Sequence, residues 1–307
     1  MGRLLANYLL DRGWEVILYD DFSRFSRREL GDLSHRAEII EGDINDLEKL
    51  SLVTDSVEVV FHLAAKSRAG ESHKDREGCF RTNVNGTFSL LEACKEAKPK
   101  VVFPSSWVVY DKNSIANGEA TIESAKLGAS SPYGISKLVG EEYVRFYSEQ
   151  YDIDSVILRL SNVYGAGDNN RIIPMIVDKA LRNEVITIFG AQHYVNFVHV
   201  KDVIKAMHSV AEDVNANNKT MNIGDHESVN LVDVAARIVA ESKSTSEIRI
   251  APLDSWEYPY YRPDLSFARK TSGYTPSVSL NQGLAEVVEW RKSLLLNEDS
   301  LVTNVSN

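Results

Sequence analysis

The sequence predicts an α/β fold: a doubly wound parallel sheet covered by helices on both faces, followed by a smaller α+β lobe. Three observations predict it. Short apolar runs rich in β-formers, WEVILYD ending at Asp20, AEIIEGD ending at Asp43, VEVVFHLAA from Val57 to Ala65 and KVVFPSS from Lys100 to Ser106, are separated by segments of helical periodicity. The runs are continuously apolar, as strands covered on both faces are, and strand–helix alternation implies parallel order through crossover connections. A chain of 307 residues with 43% hydrophobic content can also bury a large core.

The elements follow in order. Leu4, Leu5, Tyr8 and Leu9 share one face of a helix from Arg3 to Arg12, and Gly13 stands where a helix stops. WEVILYD and AEIIEGD read as buried strands, each closing in an acid. NVNGTFSLLEACKEA is helical between the third and fourth runs, and a long helix is expected from Pro132 to Tyr151 with the proline in its first turn. DSVILRLSNVYG reads as a strand and loop. Beyond Gly165 the rhythm loosens into a helix near Ile172 to Leu181, β runs VITIFG and VNFVHV, a helix after Asp202, the strand TMNIG, and helices near Leu231 to Glu241 and Asn281 to Lys292. Residues 1–165 therefore form one expected domain, to which 195–225 return. Residues 166–194 and 226–296 form the small lobe, and 297–307, polar and without an apolar face, a flexible tail.

Composition excludes several classes. A net charge of −10 without a basic run argues against nucleic-acid binding. Cys79 and Cys94 are too few for a disulfide framework or a zinc site, so no metal is expected and a reducing cytoplasm fits. No apolar run reaches membrane-spanning length, and the opening MGRLLANYLLDRG lacks the features of a signal peptide.

A dinucleotide fold reads strand, glycine turn, helix, second strand, acid; here the helix, the second strand and Asp20 are present. The first strand and most of the turn are not, although Gly2 sits where the third glycine of such a turn would let helix and strand pack closely. Without those glycines a principal pyrophosphate site at the helix N-terminus is missing, and NAD should bind weakly to the chain as written. A start placed too late is favoured over a truncated product, because the downstream residues read as an intact enzyme. The fold is thus a Rossmann-type sheet with its first strand absent from this chain. Asp20 is placed to accept hydrogen bonds from an adenosine ribose and would repel a 2′-phosphate, favouring NAD over NADP. Asp43, with Ile44 beside it, would meet the adenine edge, although a turn-forming Asp is an equal reading.

The strongest local signal is SSPYGISK, which sets Tyr133 and Lys137 four residues apart on one helix face. A phenol is a poor base at neutral pH; a neighbouring ammonium and a positive nicotinamide ring would stabilise its phenolate. Tyr133 could then exchange a proton with a substrate hydroxyl while hydride moves to or from the cofactor. Ser105 and Ser106 end the strand upstream, where a hydroxyl can orient the same oxygen. His62 reads as a packed strand residue, and His193 and His199 as surface or structural residues. Lys66, Ser67 and Arg68 can touch cofactor or substrate, or form a solvated loop.

HLAAKS (His62 to Ser67), TNVNGT (Thr82 to Thr87), PSSWVVY (Pro104 to Tyr110), YGISK (Tyr133 to Lys137) and LRLSNVYGAGD (Leu158 to Asp168) together resemble the extended short-chain dehydrogenases, in particular the UDP-glucose 4-epimerase branch. The resemblance covers nearly the whole chain. It implies that Tyr133 is the general base, that Lys137 supports it and holds the nicotinamide ribose, and that Ser106 bonds the sugar hydroxyl. It places Leu63, Ala64, Ala65, Asn83 and Ser105 along NAD, and Lys66, Asn162 and Arg262 toward a nucleotide-diphosphate sugar. Transient oxidation at C4 of the sugar and a homodimer are implied in the same way.

Two departures narrow the chemistry. Dehydrating or decarboxylating relatives carry an acid directly beyond the catalytic Ser or Thr, where this chain has Trp107 and Val108, which transfer no proton. Where many relatives have Arg-Asp-Phe gripping the diphosphate, this chain has Val195, Asn196 and Phe197, which leaves Arg262 as the expected clamp, or as a surface Arg paired with Asp264. The expectation is an NAD-dependent nucleotide-sugar epimerase. A nucleotide-sugar reductase, a UDP-glucuronate epimerase and a non-catalytic homologue are the competing readings.

Overall fold

A computed structural model describes residues 1–67, 69–115, 118–168, 171–252 and 260–304. The first half of the chain runs α1 (Gly2–Leu10), β1 (Ile17–Asp20), α2 (Leu33–Arg36), β2 (Glu38–Glu41), α3 (Leu47–Thr54), β3 (Val59–Phe61), α4 (Ala69–Ser72), α5 (Arg76–Phe80), α6 (Gly86–Ala93), β4 (Lys100–Ser106), α7 (Lys112–Ile115) and α8 (Pro132–Tyr151). The second half runs β5 (Ser155–Leu160), β6 (Asn162–Tyr164), α9 (Ile172–Leu181), β7 (Ile186–Phe189), β8 (Tyr194–His199), α10 (Val200–Glu212), β9 (Lys219–Ile223), β10 (Ser228–Asn230), α11 (Leu231–Ser242), β11 (Ile248–Ala251), α12 (Ser266–Ser272) and α13 (Leu280–Asn304).

The main sheet has the order β3-β4-β5-β9, all parallel, with Ser106 of β4 opposite Leu160 of β5 and Leu160 opposite Ile223 of β9. Side chains alternate across it with period two. Val102, Val156 and Leu158 face α1, α10 and α12, whose Leu5, Leu9, Val203, Met207 and Ala268 complete one core. Val101, Phe103 and Ile157 face the other way, onto Leu90 and Leu91 of α6 and Val144 and Tyr147 of α8. Two-sided cover explains the continuous apolar runs of β4 and β5.

The first two strands differ from the sequence reading. Every residue of β1 is only half-buried and both ends of β2 are exposed, because these strands pair with each other alone and β1 forms no ladder with β3. The third run is also shorter than expected. Leu63 N–H bonds back to Phe61 O at 2.9 Å, which turns the chain off the ladder and leaves His62 to Ser67 irregular. The helix expected around NVNGTFSLL begins earlier, at Arg76, and passes through a π-helical turn at Arg81–Asn85 before α6. There Gly86 is required by close approach: a Cβ on it would stand 2.5 Å from Ile44 Cγ2.

The remaining elements of the second half form a lobe. β8 lies between β6 and β10 in a three-stranded sheet, β7 pairs with β11, and α9, α11 and α13 enclose Ile173, Val177, Ile186, Val234 and Val287. Within the stretch expected to return to the main sheet, β9 does so and α10 packs on it, but β8 joins the lobe sheet instead. Strand β11 went unread: it is short, and Ile250 at its centre is 56% exposed. The expected flexible tail is helical through Asn304, since α13 continues past Lys292 across the helix-forming LLLNE stretch, and 305–307 lie outside the described residues.

Leu158 is 0% exposed at the middle of the main sheet. Leu158→Ala is expected to cost about 2–5 kcal/mol, read as a lower urea midpoint with an unchanged slope. A loss below about 1 kcal/mol would mean that the sheet does not carry the core.

Candidate active site

The site lies at the carboxyl ends of β3, β4 and β5, where ligands of open parallel sheets bind. A cleft of about 310 Å³ is lined there by Leu63, Ser106, Trp107, Tyr133, Lys137 and Arg171, among others. Helix α8 delivers the central pair. Ser131 caps it by accepting Gly134 N–H at 3.1 Å, Pro132 opens its first turn, and Tyr133 and Lys137 follow one turn apart. The start of α8 is pinned from outside as well, because Tyr133 N–H donates to Ser72 Oγ at 3.1 Å.

Tyr133 is half-buried, and its hydroxyl is hydrogen-bonded with Ser106. Burial pushes its phenol above the ordinary value of 10.0; the Arg171 guanidinium and Ser106 pull the other way and are outweighed. Sequence reasoning gave Lys137 the task of lowering this value. The structure assigns the largest opposing influence to Arg171, because Lys137 turns its ammonium to Pro104 O at 2.8 Å. Lys137 is 5% exposed and lies over the Phe103 ring at 4.7 Å. Burial lowers its pKa from 10.5 to about 8, with Glu141 and Cys79 acting upward.

The wall beyond Ser106 is aromatic. Trp107 stacks on the fully buried Tyr261 with centroids 4.6 Å apart and planes at 19°, and Tyr110 stacks on the same Tyr261 ring at 6.1 Å. No side chain of this wall carries an acid.

The pattern of the NAD dependent epimerase/dehydratase family matches residues 1–224. The chain belongs to that family. A Methanocaldococcus jannaschii relative, named for UDP-glucose 4-epimerase, is 31% identical over 95% of both chains. The UDP-glucose 4-epimerase of Thermotoga maritima, solved with UDP-glucose, superimposes with a TM-score of 0.89 at 26% identity, covering 96% of each chain. The UDP-glucuronic acid 4-epimerase of Bacillus cereus, solved with UDP-glucuronic acid and NAD, gives 0.88 at 28% identity, covering 95% of this chain and 96% of that one.

The other residues expected from this epimerase/dehydratase family distribute unevenly around the cleft. Leu63, Ala65, Ser105, Ser106 and Asn162 line it, Ser105 donating to Glu141 Oε1 at 2.6 Å and Asn162 Nδ2 donating to Asn196 O at 3.2 Å. Ala64 is half-buried between two lining residues. Asp20 ends β1 half-buried; its carboxyl is pushed up by desolvation while Oδ1 accepts from Phe22 N–H at 2.8 Å. A partly desolvated carboxylate at that strand end, with an apolar approach along Leu63 and Ala65, fits an adenosine ribose and nicotinamide.

Several expected roles shift. Gly2 lines the cleft, but a Cβ there would meet Leu63 Cδ1 at 3.6 Å, ordinary contact, so no crowding by a neighbouring strand demands a glycine. Asp43 is engaged as a turn-former, its Oδ1 accepting Asn45 N–H at 2.9 Å and its Oδ2 pairing with Arg81 Nη2 at 2.5 Å. Ile44 packs under Gly86. Asn83 lies beneath the cleft wall: its Oδ1 accepts Lys66 N–H at 2.8 Å and its Nδ2 donates to Lys66 O and, at 2.9 Å, to Ser136 Oγ. It holds the wall rather than facing the cleft. Lys66 itself pairs with Asp75 in a separate depression. Arg262 is half-buried outside the cleft lining; its Nε has no partner among the described residues, while Asp264 accepts Ser266 N–H at 2.7 Å. His62 is 3% exposed and meets Thr87 Oγ1 at 2.8 Å, and His199, 1% exposed, caps α10 through Lys201 N–H, so both are structural.

Sequence reasoning missed Arg171. It stands at the N-cap of α9, donates to Ser67 Oγ at 3.2 Å and approaches Asp168 at 3.7 Å. Its only sequence signal is position: a cation opening a helix directly after the GAGD loop.

Lys137 sheds its proton in the folded chain near pH 8, well before the unfolded value of 10.5. Its burial therefore destabilises the protein below about 8, and that penalty is lost as pH rises toward 10.5. Lys137→Met is expected to gain stability relative to the parent with a difference that shrinks as pH rises through that window, measured by urea midpoints. A difference independent of pH would contradict it.

Proposed function

We propose that this chain is an NAD-dependent nucleotide-sugar epimerase that inverts C4 of a UDP-hexose. The observation that carries the reading is the convergence of Tyr133, Lys137 and Ser106 in one cleft at the sheet's carboxyl edge, beside a wall without an acid. Bound NAD would supply the hydride acceptor and donor, held by Asp20 at the ribose and by Leu63, Ala65 and Lys137 near the nicotinamide. Ser106 orients the sugar C4 hydroxyl and Tyr133 exchanges its proton. Trp107 and Val108 offer no group to remove a second proton, so the keto sugar is not driven on to elimination.

The diphosphate needs a cation, and two guanidinium groups are candidates, one in the cleft and one outside its lining. Arg171 lines the cleft, and Arg262 carries a buried Nε without a partner among the described residues. A guanidinium fork suits a diphosphate. It also suits a hexuronate, so UDP-glucuronate is the second reading, favoured by Arg171 lying in the cleft itself.

A homodimer is part of the proposal. Phe80, Phe88, Ile135 and Phe146, between 42% and 56% exposed, lie on the helical stretch from α5 to α6 and on α8, and exposed apolar side chains on adjoining helices support an interface there. The buried free thiols of Cys79 and Cys94 support a reducing, cytoplasmic setting. No described helix is long and apolar enough to cross a membrane.

Purified protein with NAD should interconvert UDP-glucose and UDP-galactose, or failing that UDP-glucuronate and UDP-galacturonate, and Tyr133→Phe should lower kcat about 10²–10⁴-fold. Interconversion of neither pair would sink the reading. Because these 307 residues carry no glycine turn before α1, a version preceded by a β-strand and such a turn should bind NAD more tightly in calorimetry; equal affinity would remove that expectation. Phe88→Asp combined with Phe146→Asp should convert a dimer to a monomer in sedimentation. A parent that sediments as a monomer would rule the dimer out.

A further inference from the structure

The last three residues of β4 each engage one face of α8. Pro104 O accepts from Lys137 Nζ at 2.8 Å, Ser105 Oγ donates to Glu141 Oε1 at 2.6 Å, and Ser106 is hydrogen-bonded with Tyr133. Tyr133, Lys137 and Glu141 are successive i, i+4 neighbours, so the strand and helix are joined along a single seam. Tyr133 and Lys137 belong to the proposed chemistry. Glu141 has no part in it, yet it is 0% exposed and deeper than either.

Its carboxylate is fully engaged. Oε1 accepts from Ser105 and from Arg159 Nε at 3.0 Å, and Oε2 accepts from Arg159 Nη2 at 2.8 Å and from Arg145 Nη2 at 2.6 Å. Arg159 sits on β5 directly opposite Ser105, is 2% exposed, donates to Glu123 O at 2.8 Å and lies against the Tyr110 ring at 4.8 Å. A buried ion pair of this kind contributes little net stability, because desolvation offsets most of the attraction. Its place one turn below Lys137 points to another role.

We propose that Glu141 and Arg159 are positioning residues for the proton relay: the carboxylate, held in place by the guanidinium, keeps the buried Lys137 an ammonium and keeps the ends of β4 and α8 in register. The charged and titratable groups facing Lys137 are few. Among the described residues they are Glu141 on its own helix with Arg145 and Arg159 behind it, Cys79 from α5, His62 just after β3, and Tyr133 with Arg171 at the mouth. Among the described residues in that set Glu141 carries the one full negative charge, and removing it leaves only the Pro104 carbonyl, the Phe103 ring and the Cys79 thiol to offset the cost of burying the ammonium.

The inference rests on Tyr133 and Lys137 being the proton-transfer pair, and its test needs no substrate. The full chain is labelled with carbon-13 at the lysine Cε, and the Lys137 resonance is assigned by its absence in Lys137→Met. The double variant E141Q/R159M removes both charges without stranding either, and should move the Lys137 titration down by about one pH unit, a tenfold change in the ammonium-to-amine ratio. R159M alone leaves Glu141 bonded by Arg145 and Ser105 with less positive charge behind it, and should move it up. R159K restores the cation and should return it to the parent value.

Opposite shifts in variants that melt cooperatively support the proposal, because a purely structural disturbance would move both the same way. Shifts of one sign, or none, overturn it. If R159M does not melt cooperatively, R159K against the double variant decides: a parental titration in both overturns the proposal. A protein that turns over no sugar would leave this titration as it stands.

Discussion

The site depends on one constraint: an ammonium is held nearly out of water at the edge of a parallel sheet. Lys137 is 5% exposed and its ammonium has a carbonyl, an aromatic ring and a carboxylate around it. Burying a charge this far costs several kcal/mol unless partners replace the water, and the neighbouring elements supply those partners. Strand β4 is buried from Val101 to Ser106, and its Pro104 carbonyl and the Ser105 and Ser106 hydroxyls meet α8. Helix α8 is capped at Ser131 so that Tyr133 falls in its first turn, and β5 brings Arg159 behind Glu141.

The same burial acts on Tyr133 in the direction opposite to what a base at neutral pH needs. Its phenol is pushed up, and Arg171 and Ser106 recover only part of that shift. A site that makes its phenol reluctant to ionise until a further positive charge arrives couples proton removal to the presence of cofactor. That coupling suits a redox step that must not proceed without its acceptor.

Much of this was legible in the sequence, and the limits were physical. Helix α8 was read from Pro132 to Tyr151 with the proline in its first turn, and β4 and β5 because two-sided burial writes continuous apolar runs. The exposed faces of β1 and β2 were misread as buried because local composition does not report how many neighbours a strand has. Strand β11 was missed because its side chains are half in solvent and carry no clear period. Tyr133 and Lys137 were picked out from their spacing and Ser106 from its strand end and the family resemblance, and all three line the cleft; Arg171 was not picked out, because α9 brings it to the cleft from a distant segment. Asn83 was expected along the cofactor, but its amide is used up holding Lys66 and Ser136, an arrangement that only the π-helical turn creates.

The central claim of the proposal is that burial holds the Tyr133 phenol above its ordinary value in the chain alone and that the positive charge of bound NAD would lower it. It is tested most directly by the carbon-13 shift of the Tyr133 ring carbon bearing the hydroxyl, assigned against Tyr133→Phe and followed over pH with and without NAD. The account predicts ionisation above the ordinary phenol value of 10.0 in the chain alone and a downward move when NAD is bound. A resonance that titrates at the same pH in both states, while NAD demonstrably binds, would contradict it.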